Sequence, residues 1–473
     1  MEKWQRDPWL RQLVAERREQ GVGRREFLAR LGGAAAGVAG ASVLGRSKPA
    51  GAQTKVVVTT WDTEPNPKTR AVMKEIVADF QKLHKDVEVR AEGMGWADMD
   101  RKLLAGLAAK TPPTLSHSQQ YVVTTFRARG IIEPLDDVVQ AIGKDRILPS
   151  VRRWLEYDGK FWGLTHAWGA EMLGGRADWA REAGVNPMGW KTWDDWLRDM
   201  PKLNKPPGHF AFTLAGGHAF TLNEDVYMWV GSNGGRLFDD QGGPTLETPQ
   251  VIEMLEFWKK LKPYLPTAWT SHSFLETLAI WTSGKAAQNL IWGRTAEYVD
   301  LHAPPDKRNP EVFAIWPKTI GPSGKAPITQ FDNEPWIAYA DVPKAEKAAG
   351  REFLKFFYKK ENYRKYCDSV PLHLLSIFAE DFKDPSYLNQ PDRVRWKPWL
   401  EAQQKWVEQG QTFPLLMTHA NDMNVKWIGD VGASTILADM AVAVVERGKS
   451  AKEAAKEAQT RILRDIVDKA RRG

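Results

Sequence analysis

The chain has 473 residues, 42% hydrophobic and 26% charged, with a formal net charge of +7 and one cysteine. That length allows about three average domains or two large ones, and the aromatic content excludes a disordered chain. A lone cysteine excludes an intramolecular disulfide and a cysteine-cluster metal site. No apolar run reaches the roughly 18 residues of an ordinary membrane-spanning helix. Tryptophan is in excess, at 22 residues.

The first 52 residues read as an address. Arg24-Arg25-Glu26-Phe27-Leu28 precedes a charge-free run from Leu31 to Leu44, and Ala50-Gly51-Ala52 supplies a small-x-small site for cleavage after Ala52. The R-R-x-F-L pattern resembles a twin-arginine (Tat) export signal, which implies passage of a folded chain through the Tat translocase into the periplasm. This leader holds ten Lys/Arg and five Asp/Glu, so residues 53–473 carry only +2 of the net charge. A balanced surface argues against nucleic acid as a partner. A soluble monomer is expected.

Lys55 to Thr60 is a β-branched run bounded by a turn cluster and reads as a buried strand. A helix follows, with Val72, Ile76, Phe80 and Leu83 on one face, and Val87 to Val89 reads as a second strand. This β-α-β opening favours a parallel sheet. Asp98 to Ala109 is a further amphipathic helix, ended by Thr111-Pro112-Pro113. Strands and helices alternate from there to a closing helix, Ala451 to Val467, striped by Ala454, Ala458, Ile462 and Ile466.

Catalytic and cofactor motifs are missing. Gly448-Lys449-Ser450 lacks the upstream glycine of a phosphate loop. No nucleophile elbow or H-E-x-x-H pair occurs, and the histidines are scattered without metal-ligand spacing. Asp194-Asp195, flanked by Trp193 and Trp196, reads as a helix start rather than a catalytic pair. No catalytic residue, cofactor or metal is expected.

Several segments, in order, resemble the extracellular solute-binding proteins of ABC importers, family 1, the maltose-binding type. They are Trp61 at a strand end, Gly130-Ile131-Ile132-Glu133-Pro134-Leu135-Asp136, Asp158-Gly159-Lys160-Phe161-Trp162-Gly163-Leu164, and Ala183-Gly184-Val185 through Thr192-Trp193-Asp194-Asp195. Asn233-Gly234-Gly235 through Thr248-Pro249, Ser283-Gly284-Lys285-Ala286-Ala287 through Trp292, and Ala345 to Leu372 continue the series. The sequence departs from the family pattern at Thr165-His166, at 171–176 and at Asp332-Asn333-Glu334, all beside the family's ligand cleft.

The resemblance implies an α/β type II periplasmic-binding-protein fold of two lobes, each a mostly parallel sheet flanked by helices, with the ligand cleft between them. Lobe boundaries are expected at 53–170 with 331–370, and at 171–330 with 371–473. It implies a binding protein, not an enzyme, that closes on a carbohydrate and delivers it to an ABC permease. Indole faces suit the C–H face of a sugar, and carboxylates, amides and guanidinium suit its hydroxyls. By position, the ligand-binding candidates are Trp61 and Asp62, then Ser118, Gln119 and Gln120, and His166, Trp168 and Glu171 at one crossover. Trp292 and Arg294 follow a strand, and Asn333, Glu334 and Trp336 lie at the second crossover. Trp154, Trp179, Trp196, Trp258 and Trp399 read as packing residues. A rival in the same fold takes an anionic or nitrogenous solute, with Arg294 and Glu334 as charged anchors. An exported enzyme and a receptor-coupled sensor are the remaining alternatives.

Overall fold

The computed structural model describes residues 55–217 and 219–472. The leader, with Arg24, Arg25 and Ala52, lies outside the described residues. Strand β1 (Val56–Asp62) buries Val58 and Thr60 and pairs in parallel with β2 (Val87–Gly93). The helix Pro67–Leu83 joins them. Asn66 caps it by accepting the Lys68 N–H at 2.9 Å, and Pro67 sits where no N–H is needed. The buried stripe is Thr69, Met73, Ile76 and Phe80, whereas Leu83 is 66% exposed. The helix is rotated from the expected face because Phe80 meets Phe353 edge-on at 5.4 Å and Thr69 hydrogen-bonds Ser369 at 2.8 Å.

After the helix Trp96–Ala108, β3 (Leu115–His117) lies parallel to β1 on its other side, and β4 (Ile132–Glu133) follows. A small hairpin, β5 (Glu156–Tyr157) with β6 (Lys160–Phe161), precedes β7 (Leu164–Ala170) and β8 (Met172–Arg176). The remaining strands are β9 (Gln288–Ile291), β10 (Phe313–Trp316), β11 (Thr329–Tyr339) and β12 (Thr412–Phe413).

The first sheet has the order β12-β11-β3-β1-β2, with β4 and β7 also paired to β11. At 11 residues, β11 is long enough to serve β3 and β4 at one end and β7 along the other. Its ladder shifts between Glu334 and Pro335, where proline has no N–H to give, and His166 is the extra residue opposite. The second sheet, β10-β8-β9, pairs antiparallel throughout, while in the first β2, β1 and β3 pair in parallel, as do β11 and β12. The chain crosses between the sheets twice, from β7 to β8 through Glu171 alone and from β10 back to β11. These two crossings run antiparallel and set the strand directions on both sides.

Most of the tryptophan is structural. Trp193, Trp196 and Trp229 all pack against Phe257, with ring centroids 4.7 to 6.0 Å away. Trp154, Trp196, Trp258 and Trp399 are buried as expected, and Trp179 is half-buried under the Arg176 guanidinium at 3.9 Å. Gly175 has no side chain because a Cβ there would lie 2.2 Å from the Trp316 indole. Thr192 and Asp195 form a capping box for the helix Trp193–Leu203, so Asp195 is a helix cap. Among the described residues, no helix is long and apolar enough to cross a membrane.

Candidate functional site

Where the sheets meet, buried polar side chains converge from both. The turn after β1 carries Asp62, Thr63 and Glu64. Asp62 accepts from Arg70 at 2.5 Å and from the Glu64 N–H at 3.1 Å. Glu64 reaches across to Arg294, which donates to it at 2.9 Å. Asn66, in the same turn, donates to Glu297 at 3.1 Å. Arg294 is delivered by the segment leaving β9, and Gly293 beside it must be glycine because a Cβ would fall 1.7 Å from the Leu372 carbonyl oxygen. His373 Nε2 stands 3.9 Å from Glu64.

Beneath this turn, the His117 and His166 rings stack at 3.6 Å with a 7° tilt, and Trp336 meets His117 edge-on at 4.0 Å. The Thr63 N–H donates to His117 Nδ1 at 3.2 Å, which puts the hydrogen of neutral His117 on Nε2. That buried Nε2 has no partner. His166 contacts Glu334 through Nε2 at 3.0 Å and Tyr366 OH through Nδ1 at 2.8 Å. Gln119 donates to the other Glu334 oxygen at 3.1 Å. Burial, with the Glu64 charge next, raises the Glu334 pKa to about 8, and burial lowers that of His166 to about 3. At neutral pH the pair is therefore uncharged: Glu334 donates to His166 Nε2, and His166 Nδ1–H donates to Tyr366. Burial also raises Asp62 to about 6, against the pull of Arg70.

A second polar patch lies toward the start of β11. Lys318 donates to Glu171 at 2.8 Å and to Thr329 Oγ1 at 2.5 Å, and burial pushes both Lys318 and Glu171 toward their neutral forms. Gln330 donates to Glu224 at 2.8 Å. Glu224 and Asp225 lie on the buried helix Ala219–Ser232, and burial raises both well above the carboxylate range, as it does for Asp332.

His117, His166 and Glu334 offer ligand atoms within 4.8 Å of one another. They do not fit a metal ion. Stacked, nearly parallel rings hold their in-plane lone pairs in separate planes, and His117 Nδ1 already accepts from Thr63. A zinc-type ion needs in-plane nitrogen at about 2.0–2.1 Å. The trio is a hydrogen-bonded network.

Of the residues singled out from sequence, the fold gathers Asp62, Gln119, His166, Arg294 and Glu334 into one network, with Trp336 under it and Glu171 beside it. Trp292 is buried against the backbone of Gly169 at the crossing. The others are placed elsewhere. Trp61 is in a separate hydrophobic cluster with Met99, Leu103 and Phe126. Trp168 packs on Phe331 and Phe382 and donates its indole N–H to the Ser376 carbonyl at 2.6 Å. Asn333 takes the side of β11 opposite Glu334, between Thr165 and the Val151 carbonyl. Ser118 bonds Pro335 O through its backbone, and Gln120 donates to Trp154 O. The sequence reading missed Glu64, His117, Tyr366, His373, Glu224, Asp225 and Lys318. Only Glu224-Asp225 left a signal, as adjacent charges inside an apolar helix.

This architecture, two α/β lobes joined by crossing strands with a polar seam between them, is the type II periplasmic-binding-protein fold. An ABC-transporter solute-binding protein of Agrobacterium radiobacter K84, solved with ribitol, superposes with a TM-score of 0.70 at 20% identity, covering 86% of this chain and 98% of the other. Residues 75–380 match the family of bacterial extracellular solute-binding proteins, and the chain belongs to that family. It is 25% identical over 224 residues to the mannitol-binding protein of Pseudomonas aeruginosa, covering 46% of this chain and 51% of that protein. It is 26% identical over 237 residues to the arabinooligosaccharide-binding protein of Bacillus subtilis, covering 48% and 54%. These matches span about half the length of each relative.

Proposed function

We propose that this chain is the substrate-binding protein of an ABC importer, that it binds a carbohydrate or polyol between its lobes, and that it delivers this solute to a membrane permease. The observation that carries this reading is the seam itself. Buried side chains from both sheets converge there, and along the seam lie unpartnered atoms of both kinds, the Glu64 Oε2 and Gln330 Oε1 acceptors and the His117 Nε2 donor. A hydroxyl both donates and accepts, so a polyhydroxylated skeleton suits such a mixed set. Relatives named for mannitol and arabinooligosaccharide, and a structural neighbour solved with ribitol, support the same class.

On this reading the lobes are residues 53–170 with 331–370, and 171–330 with 371–473. The Glu64–Arg294 and Asn66–Glu297 contacts join the turn after β1 to the helix Thr295–His302, and they part when the lobes open. The network supplies orientation and hydrogen bonds, and the protein performs no reaction. The leader, with Arg24-Arg25 and cleavage after Ala52, directs Tat export to the periplasm.

A thermal-shift panel of hexoses, oligosaccharides, polyols, sugar acids, amino acids and polyamines tests the class. A carbohydrate or polyol should raise the melting temperature with dose, because a ligand of the folded state alone stabilises it by mass action. Stabilisation confined to amino acids or sugar acids contradicts the reading.

A further inference from the structure

Buried charge at the seam is out of balance. Three carboxylates have a cation: Asp62 with Arg70 at 2.5 Å, Glu64 with Arg294 at 2.9 Å and Glu171 with Lys318 at 2.8 Å. Glu224, Asp225, Asp332 and Glu334 have no Lys or Arg at ion-pair distance among the described residues; the only such contact is that of Glu334 with neutral His166. Independently of this count, Asp62 Oδ2, Glu64 Oε2 and Gln330 Oε1 are unpartnered on side chains that are 1%, 1% and 2% exposed. All three are acceptors, and only a donor satisfies them.

Resting on the carbohydrate reading above, we propose that the solute bears a protonated amine on its polyhydroxy skeleton and that Glu64, Asp332 and Glu334 receive it. An ammonium group brings three donors and the positive charge that this seam lacks. A neutral sugar supplies donors but no charge, and the surplus carboxyls then stay protonated. An anion finds no open cation, because Arg70, Arg294 and Lys318 are each held by a carboxylate. A single metal ion is a poor alternative. Among the described residues, the one trio of ligand-type side chains close enough to share an ion is His117, His166 and Glu334, whose rings stack.

The protonation of the site follows the same logic. Glu334 faces His166 on β7, His117 and Gln119 at the end of β3, Thr63 and Glu64 in the turn after β1, Asp332 on its own strand and Arg294 after β9. Burial and the like charge of Glu64 keep this carboxyl protonated near neutrality, against the pull of Arg294 and the hydrogen bonds from Asp332 and Gln119. An arriving ammonium favours the carboxylate, so its binding expels protons.

The test is calorimetric titration of the purified protein with matched pairs, 1-amino-1-deoxy-D-glucitol against D-glucitol and D-glucosamine against D-glucose, with spermidine and calcium chloride alongside. Titrations in two buffers of different ionisation heat read proton release. The amino member of at least one pair should bind about tenfold or more tighter than its neutral partner. It should release protons near neutral pH and lose most of this advantage in Glu334→Gln. Proton release needs no variant, and Asp332→Asn is a second substitution should Glu334→Gln fold poorly. A neutral member binding as tightly as its amine overturns the proposal and leaves the carbohydrate reading intact. Binding of spermidine with both sugar pairs inert removes the carbohydrate reading and keeps the cation assignment. Binding of calcium alone, or of no amine, overturns the proposal.

Discussion

Glu334 is the side chain on which the site turns. Its carboxyl titrates near 4.5 when exposed and is raised to about 8 by burial and the Glu64 charge. A raised folded-state pKa stabilises the protein fully below about 4.5 and loses that stabilisation as pH climbs to about 8. His166 runs the other way, from 6.5 to about 3, so its contribution is complete above 6.5 and no longer varies. Stability should therefore fall between pH 6.5 and about 8, and Glu334→Gln should flatten that slope by about 1 kcal/mol per pH unit, measured by urea unfolding across the window. Arg294→Met should destabilise by about 3 kcal/mol, because it strands Glu64, which is 1% exposed. The double variant with Glu64→Gln should recover most of that loss, whereas additive losses would show that the pair is not coupled. Little of this was legible in the sequence. Positions 62, 117, 166, 334, 366 and 373 meet only through long-range pairing, and no local pattern marks His117, Tyr366 or His373.

Strands and helices were more legible, because periodicity and turn chemistry act locally. The run Lys55 to Thr60, the helix after it and the closing alanine stripe all appear where the pattern placed them, with Ala454, Ala458, Ile462 and Ile466 buried. Faces were less secure: Leu83 points to solvent because contacts to Phe353 and Ser369, far along the chain, set the rotation of its helix. The side of a strand on which a residue falls also depends on register. Alternation along β11 puts Glu334 into the seam while Asn333 and its cross-strand partner Trp168 face away, although all three are adjacent to the crossings. The segment from β9 to the helix Thr295–His302 is held by a backbone contact at Gly293 that no side-chain rearrangement relieves. Gly293→Ala should lower the melting temperature by several degrees, consistent with the 1–3 kcal/mol of an overpacked site. An unchanged melting curve would show that the segment can move.

For the whole molecule, the crossings at Glu171 and between β10 and β11, with a third passage after residue 370 on the proposed lobe bounds, leave the lobes connected by few segments, and the seam contacts bridge them. On the proposed function, such a body converts binding into a shift between open and closed populations, limited by the preference of the solute for the closed form. Export makes a separate prediction: Arg24-Arg25→Lys-Lys should leave uncleaved precursor in the cytoplasm on cell fractionation, and normal export would refute the Tat assignment. Closure itself is tested most directly by small-angle X-ray scattering on the purified protein, with and without a saturating carbohydrate or polyol that raises its melting temperature. Binding should shrink the radius of gyration, and Arg294→Met, which cuts a seam contact, should weaken that compaction. A saturated protein whose scattering curve is unchanged from the solute-free one would contradict capture by closure.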